Sequence, residues 1–350
     1  MYLTDLRKED IESLSRENGW PKFRAAQIWD WLKRGMRPDE MTNLPLSIRQ
    51  TLSEIPYGGV SIERKLISAK DQTAKYLFQL EDGNLVEGVL MRYKYGNTAC
   101  ISTQVGCRMG CRFCASTLEG CVRDLRPGEM LGFIRSMERD EPATDKNKRT
   151  VTNLVLMGSG EPLDNFENVT AFLKRITDPE EGGISARNIS LSTCGLVPKM
   201  YELPDKAPHI TLSVSLHAHS DAQRKQIMPI ANKYSVAEVV GAARAYAEKT
   251  GRRVVFEYAL VKGFNDSRED AAALSRLLHG FSCHVNLIPL NPVPERNLSG
   301  CSREHAAVFA DWLTQLHISA TVRREMGADI EGACGQLRRS VQHEKQQPVR

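Results

Sequence analysis

The sequence predicts an α/β fold in which six strand–helix units surround a parallel sheet, preceded by a small helical segment and a β-element. Three observations carry this. The first 55 or so residues show helix periodicity, residues 60–95 switch to alternating apolar and polar positions, and from residue 99 onward β-branched runs alternate with amphipathic stretches. A chain of 350 residues that is 41% hydrophobic and 26% charged can bury one large core or two modest ones.

Taken in order, helices are expected over 6–17, over 22–34 with Phe23, Ile28, Trp29 and Leu32 on one face, and over 46–54. Gly19-Trp-Pro and Asn43-Leu-Pro break them. Together they form an expected helical domain over 1–55. The alternating runs 74–80 and 85–92 meet at Glu81-Asp-Gly-Asn, a hairpin turn, within a β-linker over 56–96. The strands of the six units are expected at 99–105, 153–157, 188–192, 209–215, 253–261 and 283–290, with an extra strand at 320–324. Helices alternate with them at 129–138, 166–176, 197–203, 236–249, 268–279 and 303–317. These units occupy 97–337, and the polar residues 338–350 are expected to fray as a tail.

Composition narrows the function classes. A net charge of +4 is too mild to mark a dedicated duplex binder. No stretch approaches the roughly 18 uninterrupted apolar residues of a membrane span, and Met1-Tyr-Leu-Thr-Asp-Leu-Arg does not read as a leader, so a cytoplasmic protein without membrane contact is expected. Nine cysteines without a secretory leader make a disulfide scaffold a poor fit and point to metal-binding or catalytic thiols.

In parallel α/β folds ligands gather beyond the carboxyl ends of the strands, so the loop after each strand is where chemistry is expected. The first holds Cys107-Arg-Met-Gly-Cys-Arg-Phe-Cys. Cys107, Cys111 and Cys114 form a C-x3-C-x2-C pattern that lets one loop ligate three corners of a 4Fe-4S cluster and leaves the fourth iron open to chelate a substrate. Structural zinc is the competing reading, but it wants four N/S ligands, and no fourth stands at the expected spacing.

The triad resembles the radical S-adenosylmethionine superfamily. Within it, Cys100-Ile-Ser-Thr-Gln-Val-Gly-Cys, Met157-Gly-Ser-Gly-Glu-Pro-Leu, Ser190-Leu-Ser-Thr, Ser213-Val-Ser-Leu-His, Asn286-Leu-Ile-Pro-Leu-Asn and Gly327-Ala-Asp-Ile-Glu-Gly-Ala-Cys-Gly-Gln-Leu resemble the RlmN-type adenine carbon-2 RNA methyltransferases. The resemblance spans residues 20–338. It implies an incomplete (β/α)6 radical-SAM barrel with a small N-terminal helical accessory domain that contacts RNA, one 4Fe-4S cluster, and two S-adenosylmethionine molecules per turnover. Implied partners are 23S rRNA, tRNA and an electron donor such as flavodoxin or ferredoxin; a monomer is expected.

Carbon 2 of adenine is electron-poor and does not attack a sulfonium methyl, so a radical route makes chemical sense of thiols beyond the triad. By the resemblance, Cys334 accepts the methyl group, Cys100 releases the base through a transient Cys100–Cys334 disulfide, and Glu87 accepts a proton. Gly160, Glu161, Ser192, Ser215, Leu216, His217 and Asn291 are implied to bind S-adenosylmethionine. Read without the resemblance, Cys100 is core filler in an apolar strand and Glu87 a solvated residue. The related antibiotic-resistance enzymes that methylate carbon 8 are the alternative; they tend to have Ala where this chain has Pro162, which favours carbon 2. Ser159 departs from the Met of many members. Cys121, Cys194, Cys283 and Cys301 match no role and read as packing residues. Arg108, Arg112, Arg123 and Arg126 near the triad, and Lys22, Arg24, Lys33, Arg34 and Arg37, are candidate phosphate contacts, with solvated basic faces the alternative.

Overall fold

A computed structural model describes residues 1–143, 145, 149–290, 295–330 and 337. Its N-terminal helices, α1 (Lys8–Glu17), α2 (Lys22–Lys33) and α3 (Leu46–Ser53), close around a core of their own that includes Leu3, Ile11, Ile28, Trp29, Leu32 and Ile48. The first starts two residues later than expected because Arg7 is its N-cap and the Asp10 carboxylate accepts from the Arg7 backbone N–H at 2.9 Å. Phe23 does not join the buried face of α2. It is 57% exposed, and the Arg24 guanidinium lies 4.7 Å from its ring centroid.

The alternating segment forms an antiparallel meander, β1 (Val60–Ile67), β2 (Ala74–Leu80) and β3 (Leu85–Tyr93), which continues into β4 (Gly96–Ile101) without a break in the sheet. The chain then makes a two-stranded ribbon of β5 (Gln104–Gly106) and β6 (Cys121–Asp124) before α4 (Pro127–Asp140). The first strand of the barrel therefore ends at Ile101 rather than 105. The Ser102 hydroxyl donates to the Glu87 carbonyl and the Thr103 N–H to the Ser159 carbonyl, which turns the chain out of the ladder.

The remaining units run β7 (Asn153–Leu156), α5 (Phe166–Thr177), β8 (Ile189–Thr193), α6 (Val197–Lys206), β9 (Thr211–Ser215), α7 (Asp221–Ile227), α8 (Val236–Thr250), β10 (Val254–Leu260), α9 (Arg268–Leu278), β11 (Cys283–Pro289), α10 (Arg303–Gln315) and β12 (Ala320–Val322). From β4 onward each pair is parallel, in the order β4-β7-β8-β9-β10-β11-β12. Among the described residues the edge strands β1 and β12 do not pair, so the barrel is incomplete. Helix α7 is an element the sequence reading lacked: seven mostly polar residues capped by Ser220 show too little periodicity to be seen.

Two faces with different chemistry follow from the period of two. Ala99, Ile101, Leu154, Leu191, Val214, Phe256 and Leu287 point outward into one apolar core under the helices. Residues of the opposite parity, among them Glu87, Cys100, Ser192 and Glu257, point to the concave side. No helix among the described residues is long and apolar enough to cross a membrane.

Candidate active site at the mouth of the barrel

The parallel strands end at one rim, where the loops that leave them converge. Cys107 and Cys111 are buried and Cys114 half-buried. The triad loop is tied down by the Cys107 N–H on the Gly120 carbonyl at 2.8 Å, the Arg112 N–H on the Ile227 carbonyl at 2.9 Å, and the Thr117 hydroxyl at 3.1 and 3.0 Å from the carbonyls of Cys111 and Cys114. Gly106, at φ 82°, lets the loop start this tightly; a Cβ there would run into the Gly120 carbonyl oxygen.

Burial pushes the Cys107 thiol up to about 12 and the Cys111 thiol further, with the neighbouring thiols adding to the effect. Metal ligation reverses this, because iron stabilises the thiolate more than burial penalises it. Among the described residues no three His, Cys, Asp or Glu side chains converge on one point. Met109, Phe113, Ile227, Met228 and Phe264 wall the triad with Cys194. In that wall Arg224 donates to the Cys194 carbonyl at 2.6 Å, while its Nη1 is buried without a hydrogen-bond partner among the described residues. Three gathered thiols and a spare buried donor fit an anionic iron-sulfur cluster.

Beside the triad, Gly160 and Glu161 follow β7. Gly160 sits at φ 108°, and a Cβ there would lie 2.6 Å from the Gln104 nitrogen. The buried Gln104 side chain orients the turn: its Oε1 accepts from the Glu161 N–H at 2.8 Å while its Nε2 donates to Asp124 and Asp164, each at 2.8 Å. The Glu161 carboxylate accepts from the N–H groups of Cys194 at 2.7 Å and Leu163 at 3.0 Å. Burial still pushes it up from its ordinary value, so a cationic partner such as an ammonium is the ligand that would stabilise it. A cavity of about 160 Å³ opens here, lined by Gly160, Glu161 and Ser192 together with Glu257, Ile288 and Arg323. Burial pushes the Glu257 carboxyl up, opposed by Arg323 and by a 2.9 Å hydrogen bond from Asn286.

Ser215, Leu216 and His217 stand behind Glu257. The N–H groups of Leu216 and His217 donate to the Glu257 carbonyl at 3.1 and 3.3 Å, and the carbonyls of Ser215 and Leu216 accept from Arg224 at 3.0 and 3.1 Å. His217 is buried with φ 55°, its Nδ1 accepts from the Ala259 N–H at 2.9 Å, and its ring meets Phe113 of the triad loop edge-on at 4.7 Å.

Glu87 and Cys100 lie on the concave face of the meander. Cys100 faces Val89 across β3–β4 and packs with Val89 and Met91, near Met157 and Met326; Glu87 is two residues along β3 toward the rim. Asn291 and Cys334 lie outside the described residues. The described chain on either side of Cys334 is anchored to the meander. The Asp329 carboxylate accepts from Ser68 Oγ at 2.6 Å and the Ala69 N–H at 2.9 Å, and Leu337 packs on Leu77 and Leu85.

The structure sorts the arginines. Arg123 pairs with Glu129 and Asp82 and Arg126 with Asp5 and Glu129, and these largely covered side chains brace the fold, whereas Arg108 beside Asp164 and Arg34 beside Asp30 stay more than half exposed. Sequence reasoning missed Gln104, Arg224, Glu257 and Arg323. A Glu inside the apolar run 254–260 was the one available signal.

The superfamily model described as radical SAM matches residues 101–274. Probable dual-specificity RNA methyltransferases RlmN of Clostridium botulinum (strain Eklund 17B / Type B) and Clostridioides difficile (strain 630) are 51% and 48% identical to this chain. They align over 97% of it and over 96% and 98% of their own lengths. A radical SAM methyltransferase from Sphaerobacter thermophilus, solved by crystallography, superposes with a TM-score of 0.90 at 40% identity, covering 96% of this chain and 98% of that one.

Proposed function

This chain belongs to the radical SAM superfamily and, within it, to the RlmN family of RNA methyltransferases, and on that premise we propose that it methylates carbon 2 of an adenosine in 23S rRNA and in tRNA. Cys107, Cys111 and Cys114 would hold the 4Fe-4S cluster, and Glu161 with Gly160 and Ser192 would bind S-adenosylmethionine through its ammonium and polar edges. When bound, these groups supply a one-electron route to a C–H bond, which a polar methyl transfer to carbon 2 lacks.

The protein's own residues divide the rest. Cys334 accepts a methyl group and carries the carbon to the base; Cys100 releases the base and pairs with Cys334; Glu87 takes the proton from carbon 2. The observation that carries this reading is the concave face of the meander. Glu87 and Cys100 are two residues apart in register there, and the described flanks of Cys334 attach to the same meander, at the β1–β2 turn and on β2 and β3. Residues 1–55 would add RNA contacts through Lys22 and Arg24 beside the exposed Phe23. The remaining roles are a soluble electron donor such as flavodoxin or ferredoxin and a cytoplasmic monomer acting on RNA.

Digesting RNA treated with the reduced enzyme to nucleosides tests the assignment. The expected product is 2-methyladenosine, whereas 8-methyladenosine would transfer the chain to the carbon-8 activity. Cys334→Ala should keep its iron yet take up no methyl group, and Cys100→Ala should accumulate a covalent protein–RNA species. Turnover by either variant at the native rate would remove that thiol from the reaction.

A further inference from the structure

Lys75 on β2 and Glu87 on β3 form an ion pair on the concave face, with Nζ and Oε2 3.4 Å apart. The Lys75 side chain is fully buried and that of Glu87 is 7% exposed. In register, Lys75 stands opposite Val89 and Val89 opposite Cys100, so a row Lys75–Val89–Cys100 crosses three strands. Glu87 is one step nearer the rim, diagonal to both the ammonium and the thiol. We propose that Lys75 is the positioning residue of the proton-transfer step: by its ion pair it holds the Glu87 carboxylate in place beside Cys100 so that Glu87 can take the proton from carbon 2.

Stability does not account for a lysine here. Taking an ammonium fully out of water costs several kcal/mol, and replacing a buried ion pair by apolar residues of similar volume is often neutral or stabilising. Leu77, Leu85, Val89 and Met91 share this face, and a leucine or methionine at position 75 would pack among them. What an apolar residue cannot do is fix a carboxylate by an ion pair. In the transfer, the C–H bond at carbon 2 of the protein-linked base breaks, an O–H bond forms on Glu87, and the electron pair stays in the base.

The inference rests on reading Glu87 as the proton acceptor, and the test separates the two. Turnover is measured on RNA carrying protium or deuterium at carbon 2 of the target adenosine, with iron content recorded for each variant. Lys75→Met is expected to lose about 100-fold or more in kcat, the range of a general-base contribution, with little change in KM for RNA. It should also show a larger isotope effect than the native enzyme, because proton removal becomes slower than the other steps. Lys75→Arg, which restores a cation, should recover part of the rate and lower the isotope effect again. Lys75→Gln, neutral but polar, answers the same question if the methionine variant loses its cluster. Native turnover in these neutral variants, or slow turnover with an unchanged isotope effect, overturns the role of Lys75. Native turnover by Glu87→Gln overturns the reading of Glu87 itself.

Discussion

His217 shows what burial does to a single residue at this site. Burial first, and the nearby Arg224 guanidinium second, hold its ring down to about 3, and the Ala259 N–H on Nδ1 places the remaining ring proton on Nε2. The native protein therefore refuses a proton that the unfolded chain accepts near 6.5, the ordinary value. Stability from this residue is full above that value and is lost as pH falls toward 3. Ring nitrogen NMR should report a neutral Nε2–H imidazole through pH 5, and an imidazolium signal at pH 5 would contradict the geometry. At this scale the triad was legible in the sequence because its ligands lie within eight residues of one loop. Lys75, Arg224 and Glu257 were not, because a lone charge in a strand or helix reads as solvated until the sheet and the helices close over it.

The segment after β12 leads toward Cys334, the proposed methyl acceptor. Its hold on the meander rests on the β1–β2 turn, where Asp71 accepts from the Gly327 N–H at 2.9 Å and Asp329 accepts from Ser68 and Ala69. Burial alone would raise the Asp71 carboxyl, but hydrogen bonds from Gly327 and Thr73 outweigh it and hold it at about 2. A depressed carboxyl stabilises above its unfolded value of 3.8, and that contribution disappears as pH falls from there toward 2. Asp71→Ala should speed exchange of the Gly327 amide and slow RNA methylation while leaving the iron content intact. Unchanged exchange would show that the turn does not anchor this segment. The expected strands and helices were mostly recovered to within a few residues, since periods of 2 and 3.6 are local signals. The β5–β6 ribbon was not foreseen: it is three and four residues long and stands by pairing across the triad loop.

In the whole molecule, the N-terminal helices and the barrel keep separate apolar cores and meet through buried polar contacts. Arg175 of α5 donates to the carbonyls of Thr4 at 3.0 Å, Asp5 at 3.3 Å and Leu6 at 3.3 Å while pairing with Glu181. Asp5 in turn accepts from Arg126 at 2.6 Å and from the Gly128 N–H at 2.8 Å at the start of α4. Arg175→Met leaves the carbonyls of Thr4, Asp5 and Leu6 without this donor and Glu181 with Arg135 alone, a loss of about 3 kcal/mol by the cost of breaking buried charge pairs. Limited proteolysis near residue 58 should then outpace loss of the barrel. If the two parts melt together with no new cleavage, the docking does not depend on Arg175.

The sequence by itself determined the α/β class, the order of the units, the C-x3-C-x2-C loop proposed to hold the cluster and the family, because each depends on local spacing or on a continuous match along the chain. The tertiary structure decided which charges are buried and what they touch. Lys75 reaches Glu87, Arg224 reaches three carbonyls at the ends of two strands, and Arg123 and Arg126 near the triad turn inward to carboxylates. Those partners stand from 3 to 121 residues apart in the chain, as in Arg126 with Glu129 and with Asp5, so only the folded sheet and its helices bring them within hydrogen-bonding distance.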